Sequence, residues 1–290
     1  MRRHDQDLKL LVPLAPDHLP HEIKGLEVVQ RHFPNLPQVV CFDTAFHRRM
    51  PEVAQRYALP EPLLREGLRR YGFHGLSYEY VFQELVLEAG LHQAAGKLII
   101  AHLGNGASMA AIENGRGLDT TMGLTPAGGL VMGTRPGDLD PGVILYLLQE
   151  KGMTAAAVNH LINHQAGLLG ISGISSDMQD LLAQEDIEAG AALAVEPFCY
   201  QARKFVGALA AALGGLDTLL FTGGIGENSA IIRARICANL GFLGIHLDVD
   251  LNKENAPVIS KKAGQVTVRV MKTNEELMIA RHTRDLLIAP

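Results

Sequence analysis

Residues 218–228 of the chain read TLLFTGGIGEN. Its first five residues predict a short buried strand, and three glycines follow that open a helix. Glycines at such a turn allow backbone N–H groups at a helix N-terminus to contact a phosphate. The spacing matches neither a Walker A loop nor GxGxxG. A packing turn between strand and helix is the alternative interpretation.

A second glycine-rich stretch, AHLGNGAS over residues 101–108, lies where an apolar strand turns into a hairpin. Glycine backbone can approach a phosphate there as well, and a tight turn is the alternative. Asn114-Gly115 between two alternating segments is the strongest short signal for a hairpin. The predicted strands are Gln38–Phe42, Lys97–Leu103, Ala107–Ile112, Gly117–Thr121, Thr218–Thr222 and Gln265–Met271.

Helical periodicity separates these strands, which predicts an α/β fold. The predicted helices are Tyr78–Ala89, Pro141–Glu150, Thr154–His164, Asp186–Ala212, Ser229–Leu240 and Asn274–Leu287. Gly241 is predicted to end the fifth helix in a left-handed conformation. The length of 290 residues favours two lobes, and no low-complexity linker separates them.

Charge and cysteine usage narrow the class of protein. The net charge is −5 and no Lys/Arg run exceeds two residues, which argues against nucleic acid as a partner. The three cysteines are far apart in apolar settings, so we expect reduced thiols and neither a disulfide nor zinc. No stretch of 18 apolar residues occurs, and we expect an intracellular protein of the cytoplasm without a membrane segment.

Three polar residues in loops are candidates for catalysis. Asp43 follows an apolar strand pattern in CFDTAFH, His74 lies between glycines in RRYGFHG, and Arg135 lies in MGTRPGDLD. A carboxylate at a strand end can project into a cleft, and flanking glycines let an imidazole stand clear of the backbone. A turn aspartate, a structural histidine and a solvated salt-bridge arginine are the respective alternatives.

Glu275 is a candidate metal ligand near the C-terminus. In the sequence TNEEL, Thr273 and Glu276 have the spacing of a capping box, which leaves Glu275 without a capping role. Mg²⁺ prefers one or two protein carboxylates together with waters and phosphate oxygens. An acidic residue favoured by the helix dipole is the alternative.

Seven segments occur in one order: FDTAFH, RRYGFHG, HLGNGAS, GLTPAGGLVMGTRPGDLDP, GISGISSD, FTGGIGEN and TNEEL. In this order the chain resembles the acetate and propionate kinase family over nearly its whole length. The resemblance implies an actin-like (ribonuclease H-like) two-lobed ATPase fold. It implies ATP-dependent phosphorylation of acetate to acetyl phosphate, with Mg²⁺ or Mn²⁺ as the metal. We also expect a homodimer.

The resemblance also assigns roles to individual residues. Asp43, His74 and Arg135 match the catalytic positions, and Glu275 matches the Mg²⁺ ligand. The residues matched to ATP contacts are His102, Leu103, Gly104, Asn105, Gly106, Asp177, Met178, Gln179, Gly224, Ile225, Gly226, Glu227 and Asn228. The residues matched to the acyl pocket are Leu14, Phe73 and Pro126.

The chain departs from the family at its N-terminus, where the serine-rich phosphate loop and a substrate-binding arginine have no counterpart. Gln179 stands where the family has an arginine near the adenine. We therefore expect residues 1–43 to be the remnant of an incomplete N-terminal lobe, 44–272 to be the nucleotide-binding lobe, and 273–290 to be a helix that returns to the first. Exposed apolar surface and a low rate of acetyl phosphate formation should follow.

Three other functions remain open at this point. Propionate or butyrate is the alternative substrate within the family. A catalytically impaired nucleotide-binding fragment is a second alternative. A nucleotide-driven structural protein of the actin-like superfamily is a third, although the RRYGFHG and MGTRPGD loops argue against it.

Overall fold

A computed structural model describes residues 7–12 and 19–288. The strands are β1 (Leu98–Leu103), β2 (Ala107–Glu113), β3 (Arg116–Thr120), β4 (Thr218–Thr222) and β5 (Thr267–Val270). The α-helices are α1 (Leu19–His32), α2 (Glu52–Gln55), α3 (Glu61–Arg65), α4 (Gly75–Ala89), α5 (Leu91–Ala94), α6 (Pro141–Gln149), α7 (Ala155–His160), α8 (Gly167–Ser172), α9 (Met178–Gln184), α10 (Ala189–Leu213), α11 (Gly223–Asn228), α12 (Ala230–Cys237), α13 (Val249–Lys253) and α14 (Glu275–Ile288). Two 3₁₀ turns (Ala45–Arg49, Gly241–Leu243) and a π-helical segment (Leu161–Gln165) complete these elements.

The five strands form one mixed sheet in the order β3-β2-β1-β4-β5. The pairs β3–β2 and β2–β1 are antiparallel, whereas β1–β4 and β4–β5 are parallel. Asn114 and Gly115 between β2 and β3 have φ of 52° and 71°. Positive φ at both central residues is the requirement of a type I′ hairpin turn, so this prediction is confirmed.

Helices cover both faces of the sheet because its strands alternate their apolar side chains between two cores. Ile99, Ala101 and Leu103 of β1 belong to the core under the long helix α10. Leu98 and Ile100 face the other way and belong to the core under α4. The result is a three-layer α/β arrangement, as predicted.

Helix α14 packs against α4 through three side-chain pairs. Arg281 donates to Glu84 and Gln83, and His282 pairs with Glu79 at 2.9 Å. The C-terminal helix therefore lies on an element of the predicted 44–272 lobe. The division of the chain at residues 43 and 273 stays a prediction.

Two local predictions are wrong. Residues 38–42 form no strand, because no neighbouring strand within residues 7–12 and 19–288 pairs with their backbone. Gly241 does not end a helix; α12 stops at Cys237, and the residue with left-handed φ is Asn239, at 65°. Asparagine tolerates that conformation better than most residues with a side chain.

Apolar side chains are exposed around the unpaired segment. Phe33, Leu36, Val40 and Phe42 expose between 41% and 60% of their surface. In the described part of the chain, no helix has the length and apolar character that crossing a membrane requires. The three cysteines are free thiols.

Candidate active site

Both glycine-rich stretches leave the sheet at the same edge. Strands β1 and β4 are parallel neighbours, and His102 pairs with Thr222 at their carboxyl ends. A cleft of about 720 Å³, here called the glycine cleft, opens beside them. Its lining includes eight of the residues predicted to contact ATP: Gly104, Asn105, Asp177, Met178, Gln179, Gly224, Ile225 and Asn228. The structure thus brings together three segments that are remote in sequence.

Two adjacent glycines at the start of α11 have different structural roles. Gly223 has φ of +77°, and a Cβ there would lie 2.7 Å from the carbonyl oxygen of Leu103. Close packing of α11 on β1 therefore requires glycine at this position. A Cβ on Gly224 would meet no heavy atom within 4 Å, because it would project into the cleft.

Some predicted contact residues lie behind the cleft surface. The Glu227 carboxylate turns inward, where its Oε1 accepts from the backbone N–H groups of Gly223 at 3.0 Å and Thr273 at 3.1 Å. Gly226 and Leu103 are buried. Glu227 therefore holds the glycine turn to the segment that precedes α14.

Asp177 begins α9 on the opposite wall. Its Oδ1 accepts from the backbone N–H of Gln179 at 2.7 Å, which is an N-cap. The same carboxylate that was matched to an ATP contact thus also fixes the start of a helix. The Gln179 side chain is exposed beside it.

Arg233 is a buried residue that the sequence reasoning missed. Its guanidinium donates to the carbonyl oxygens of Gly226, Glu227 and Asn252, and to the side-chain oxygens of Asn252 and Asn255. It therefore ties the end of α11 to α13. Burial lowers the pKa of Arg233 to about 10, so the group remains charged at neutral pH. An arginine inside the apolar run AIIRARIC was the available signal.

A second cleft of about 360 Å³, here called the acyl cleft, contains the three predicted catalytic residues. Asp43, His74 and Arg135 all line it, together with Phe73 and Pro126 of the predicted acyl pocket. Leu14, the third predicted pocket residue, lies outside the residues that the structure describes. Leu124 and Tyr71 also line this cleft and were not predicted.

Arg135 and His74 converge on one point beside Gly106. A Cβ built on Gly106 would lie 2.9 Å from Arg135 Nη2 and 3.2 Å from His74 Nε2. Arg135 is oriented by a 2.7 Å hydrogen bond from its Nη1 to the carbonyl oxygen of Pro126. Two nitrogen groups therefore face the space that a side chain at residue 106 would occupy.

Asp43 holds the turn that presents His74. Its Oδ2 accepts from the His74 backbone N–H at 2.6 Å, and its Oδ1 accepts from that of Leu76 at 3.1 Å. His74 has φ of 57°, a left-handed conformation that is costly for a residue with a side chain. Both carboxylate oxygens are thus engaged in stabilising a strained turn.

The histidines of the site are neutral. Burial, together with the positive charge of Arg135, lowers the pKa of His74 to about 3. Burial likewise lowers the pKa of His102 to about 3. Each ring at neutral pH therefore carries one N–H and one lone pair.

Glu275, the predicted metal ligand, stands at the start of α14. Burial raises the pKa of Glu275, and the negative charge of Asp43 raises it further. A cation between two such carboxylates relieves this repulsion, and Mg²⁺ prefers one or two of them. Within residues 7–12 and 19–288, no group of three or more His, Cys, Asp or Glu side chains has an arrangement that could hold a metal ion.

The predicted capping box at this helix is wrong. Thr273 Oγ1 bonds to Ser77 Oγ at 2.7 Å, so its hydroxyl is engaged by a distant element. Asn274 caps the helix instead, since its Oδ1 accepts from the backbone N–H of Leu277 at 2.9 Å.

Comparison with known proteins gives one consistent result. The sequence profile of the Acetokinase family matches residues 4–281. An acetate kinase of Rhodopseudomonas palustris is 52% identical over 271 residues, which are 93% of this chain and 68% of the relative. An acetate kinase of Methylocella silvestris is 50% identical over 280 residues, 97% of this chain and 69% of the relative.

Solved structures give the same picture. The structure of Porphyromonas gingivalis acetate kinase superposes on this chain with a TM-score of 0.91 and 43% sequence identity. The superposition covers 99% of this chain and 73% of the Porphyromonas gingivalis chain. A propionate kinase of Francisella tularensis superposes with a TM-score of 0.90 and 41% sequence identity. This superposition covers 96% of this chain and 72% of the propionate kinase. These likenesses agree with the actin-like ATPase fold that the sequence resemblance implied.

Proposed function

The chain belongs to the Acetokinase family, and we propose that it transfers a phosphoryl group between ATP and acetate. The convergence of Arg135 and His74 beside Gly106 is the observation that carries this proposal. Gly106 lies in the same loop as Gly104 and Asn105 of the glycine cleft, whereas Arg135 and His74 line the acyl cleft. The two nitrogen groups therefore face the place where a phosphoryl group would pass between the clefts.

Phosphoryl transfer from ATP to a carboxylate requires the protein mainly to position the two substrates and to neutralise negative charge. A carboxylic acid is ionised near pH 7, so the attacking oxygen needs no general base. In-line phosphoryl transfer is accelerated by donors that neutralise charge on the equatorial oxygens. Arg135 would bind two of these oxygens through its planar fork, and His74 would donate to a third.

Asp43 has a positioning role in this mechanism. Both of its oxygens accept backbone N–H groups, which makes it a poor proton acceptor for substrate and a good anchor for His74. Asp43 and Glu275 would together hold Mg²⁺ through direct or water-mediated contacts. Bound there, the metal would neutralise charge on the ATP phosphates.

The glycine cleft is the proposed nucleotide site. Glycine backbone at Gly104 and Gly224 would contact phosphates, and Asp177 to Gln179 would lie near the adenosine. The lack of an arginine at residue 179 removes one cation that could stack on the base. Acetate is the preferred acceptor, and the likeness to a propionate kinase makes propionate the second candidate.

Three further properties belong to this proposal. We propose a homodimer, a location in the cytoplasm, and the lobe division at residues 43 and 273. The chain spans about 70% of the length of the relatives it matches.

A coupled assay of ADP and acyl phosphate formation tests the proposal. Acetate, propionate and butyrate are each tested as the substrate. Each is tested with the chain alone and with the chain joined to the N-terminal segment of a relative. We expect the joined form to use acetate best, and Arg135→Ala to reduce its turnover by at least about a hundredfold. Arg284→Ala, at an exposed pair with Asp285, is the control. Turnover in Arg135→Ala close to that of the unchanged joined form, or no turnover of any carboxylate, would contradict the proposal.

A further inference from the structure

A buried chain of three polar groups leads from α4 to the candidate catalytic histidine. Ser108 Oγ on β2 lies 2.8 Å from His74 Nδ1 and is also hydrogen-bonded to the hydroxyl of Tyr78. Tyr78 and Ser108 have no exposed surface. Within the described residues these two contacts are all that the two hydroxyls make.

The protons of this chain can be assigned by counting donors. Each hydroxyl carries one proton, and the neutral imidazole of His74 carries its proton on Nδ1 or on Nε2. A buried donor without an acceptor costs more free energy than one hydrogen bond contributes on average. The favoured arrangement is therefore the one in which every buried donor finds an acceptor.

Only one arrangement meets that condition. If Nδ1 carried the proton, it would donate to Ser108. The Ser108 proton would then go to Tyr78, or Tyr78 would donate to Ser108, and in both cases one buried hydroxyl would lack an acceptor. If Nδ1 is the acceptor, Tyr78 donates to Ser108, Ser108 donates to Nδ1, and every buried donor is satisfied.

We propose that Tyr78 and Ser108 are positioning residues that hold His74 as the Nε2–H tautomer, with that N–H directed at the point beside Gly106. Nε2 lies 3.2 Å from where a Cβ of residue 106 would be, next to Arg135 Nη2 at 2.9 Å. A neutral N–H donor of His74 is more favourable at this point than an imidazolium, because the Arg135 guanidinium beside it is already positively charged. The effect of this tautomer on catalysis rests on the proposed phosphoryl transfer. The assignment of the tautomer itself does not depend on that function.

The tautomer is read directly by nitrogen NMR. The full chain is labelled with ¹⁵N-histidine, and long-range ¹H–¹⁵N correlations are recorded at pH 7. The His74 signals are identified by their loss in His74→Asn. We expect the pattern of an Nε2-protonated ring. An Nδ1-protonated ring, an imidazolium or a fast mixture of tautomers would overturn the proposal.

Variants test the roles of the two hydroxyls. Ser108→Ala removes the partner of Nδ1, and we expect its ¹⁵N signal to shift and kcat to fall about 10- to 100-fold, the range found when partners that orient a histidine are lost. KM for acetate and for ATP should stay within about twofold, since binding groups are intact. Tyr78→Phe should produce a smaller fall in kcat.

Thr218→Val is the matched control. Thr218 carries a buried hydroxyl at the other end of β4 that has no hydrogen-bond partner among the described residues, so its loss should change neither the His74 signals nor kcat. If Ser108→Ala does not fold, the wild-type spectrum still decides the tautomer. An Nε2–H ring in a chain without kinase activity would refute the proposed function and leave the tautomer assignment intact. Unchanged kcat in a folded Ser108→Ala would overturn the positioning role.

Discussion

The imidazole rings of His74 and His102 stack with their centroids 4.2 Å apart and their planes inclined by 19°. Two imidazolium ions at this separation would repel each other, so the stack is stable only while at least one ring is neutral. Both rings are neutral near pH 7 because burial lowers each pKa to about 3. The arrangement joins the acyl cleft, which His74 lines, to the strand that carries the glycine cleft.

The lowered pKa values of the buried histidines predict how the free energy of unfolding depends on pH. Burial also lowers the pKa of His47 to about 4, so three histidines titrate far below the ordinary value of 6.5. Below pH 6.5 the unfolded chain binds up to three more protons than the folded one, and the free energy of unfolding should fall by up to about 4 kcal/mol per pH unit. Urea denaturation at pH 7, 6 and 5 measures the slope. His47→Gln should reduce it by roughly one third, and a free energy of unfolding that does not change with pH would refute the explanation.

Substitution of two neighbouring glycines should separate folding from nucleotide binding. Gly223→Ala places a Cβ against the Leu103 backbone at positive φ, and we expect a loss of about 2 kcal/mol or more in unfolding free energy. In Gly224→Ala the Cβ would lie within 4 Å of no heavy atom from other parts of the described structure, so the melting temperature should be unchanged or slightly higher. Its Cβ projects into the cleft, and KM for ATP should rise about tenfold, a cost of about 1.4 kcal/mol. The prediction fails if both variants have the same melting temperature.

Arg233 should matter for nucleotide binding although it does not line the cleft. Arg233→Met removes five hydrogen bonds to neutral acceptors, and we expect a loss of about 3 kcal/mol in stability. The end of α11 is released, so KM for ATP should rise while KM for acetate stays constant. Arg284→Met at the surface is the control and should change neither quantity. An equal rise in both KM values would show a general loss of structure.

Glu275 should show opposite effects on stability and on metal use. Its raised pKa means that folding disfavours the ionised carboxylate, so Glu275→Gln should raise the melting temperature at pH 7. The same change removes a proposed Mg²⁺ ligand, and the Mg²⁺ concentration for half-maximal activity should increase about tenfold or more. Glu276→Gln, at the exposed neighbouring position, is the matched control. A melting temperature that falls in Glu275→Gln would contradict this interpretation.

Sequence patterns predicted those parts of the fold that depend on neighbouring residues. The Asn114-Gly115 hairpin and strand β4 follow from local turn chemistry and apolar runs, and both are confirmed. The segment 38–42 has the same kind of apolar pattern and forms no strand, because a strand also needs a partner. Local pattern cannot supply that information.

Side-chain partners from distant elements account for the other differences. Thr273 has the right spacing for a helix cap, but Ser77 engages its hydroxyl from 196 positions away in the sequence. Glu227 falls within a matched nucleotide motif, yet its carboxylate binds backbone N–H groups behind the cleft. Arg233 belongs to no recognised motif, and its acceptors come from two other segments, the end of α11 and residues 252–255. Each of these contacts exists only after the sheet and its helices have assembled.

The pairing of β1 with β4 also determines where the chain can be interrupted. Hydrogen bonds between these two strands hold both sides of the glycine cleft, although the long crossover 104–217 lies between them in sequence. Gly152 lies within this crossover, exposed between α6 and α7, and no atom comes within 4 Å of the position of its Cβ. A fluorescent protein inserted there would leave the paired strands intact. This turn is therefore a suitable position for building a sensor that reports occupancy of the cleft.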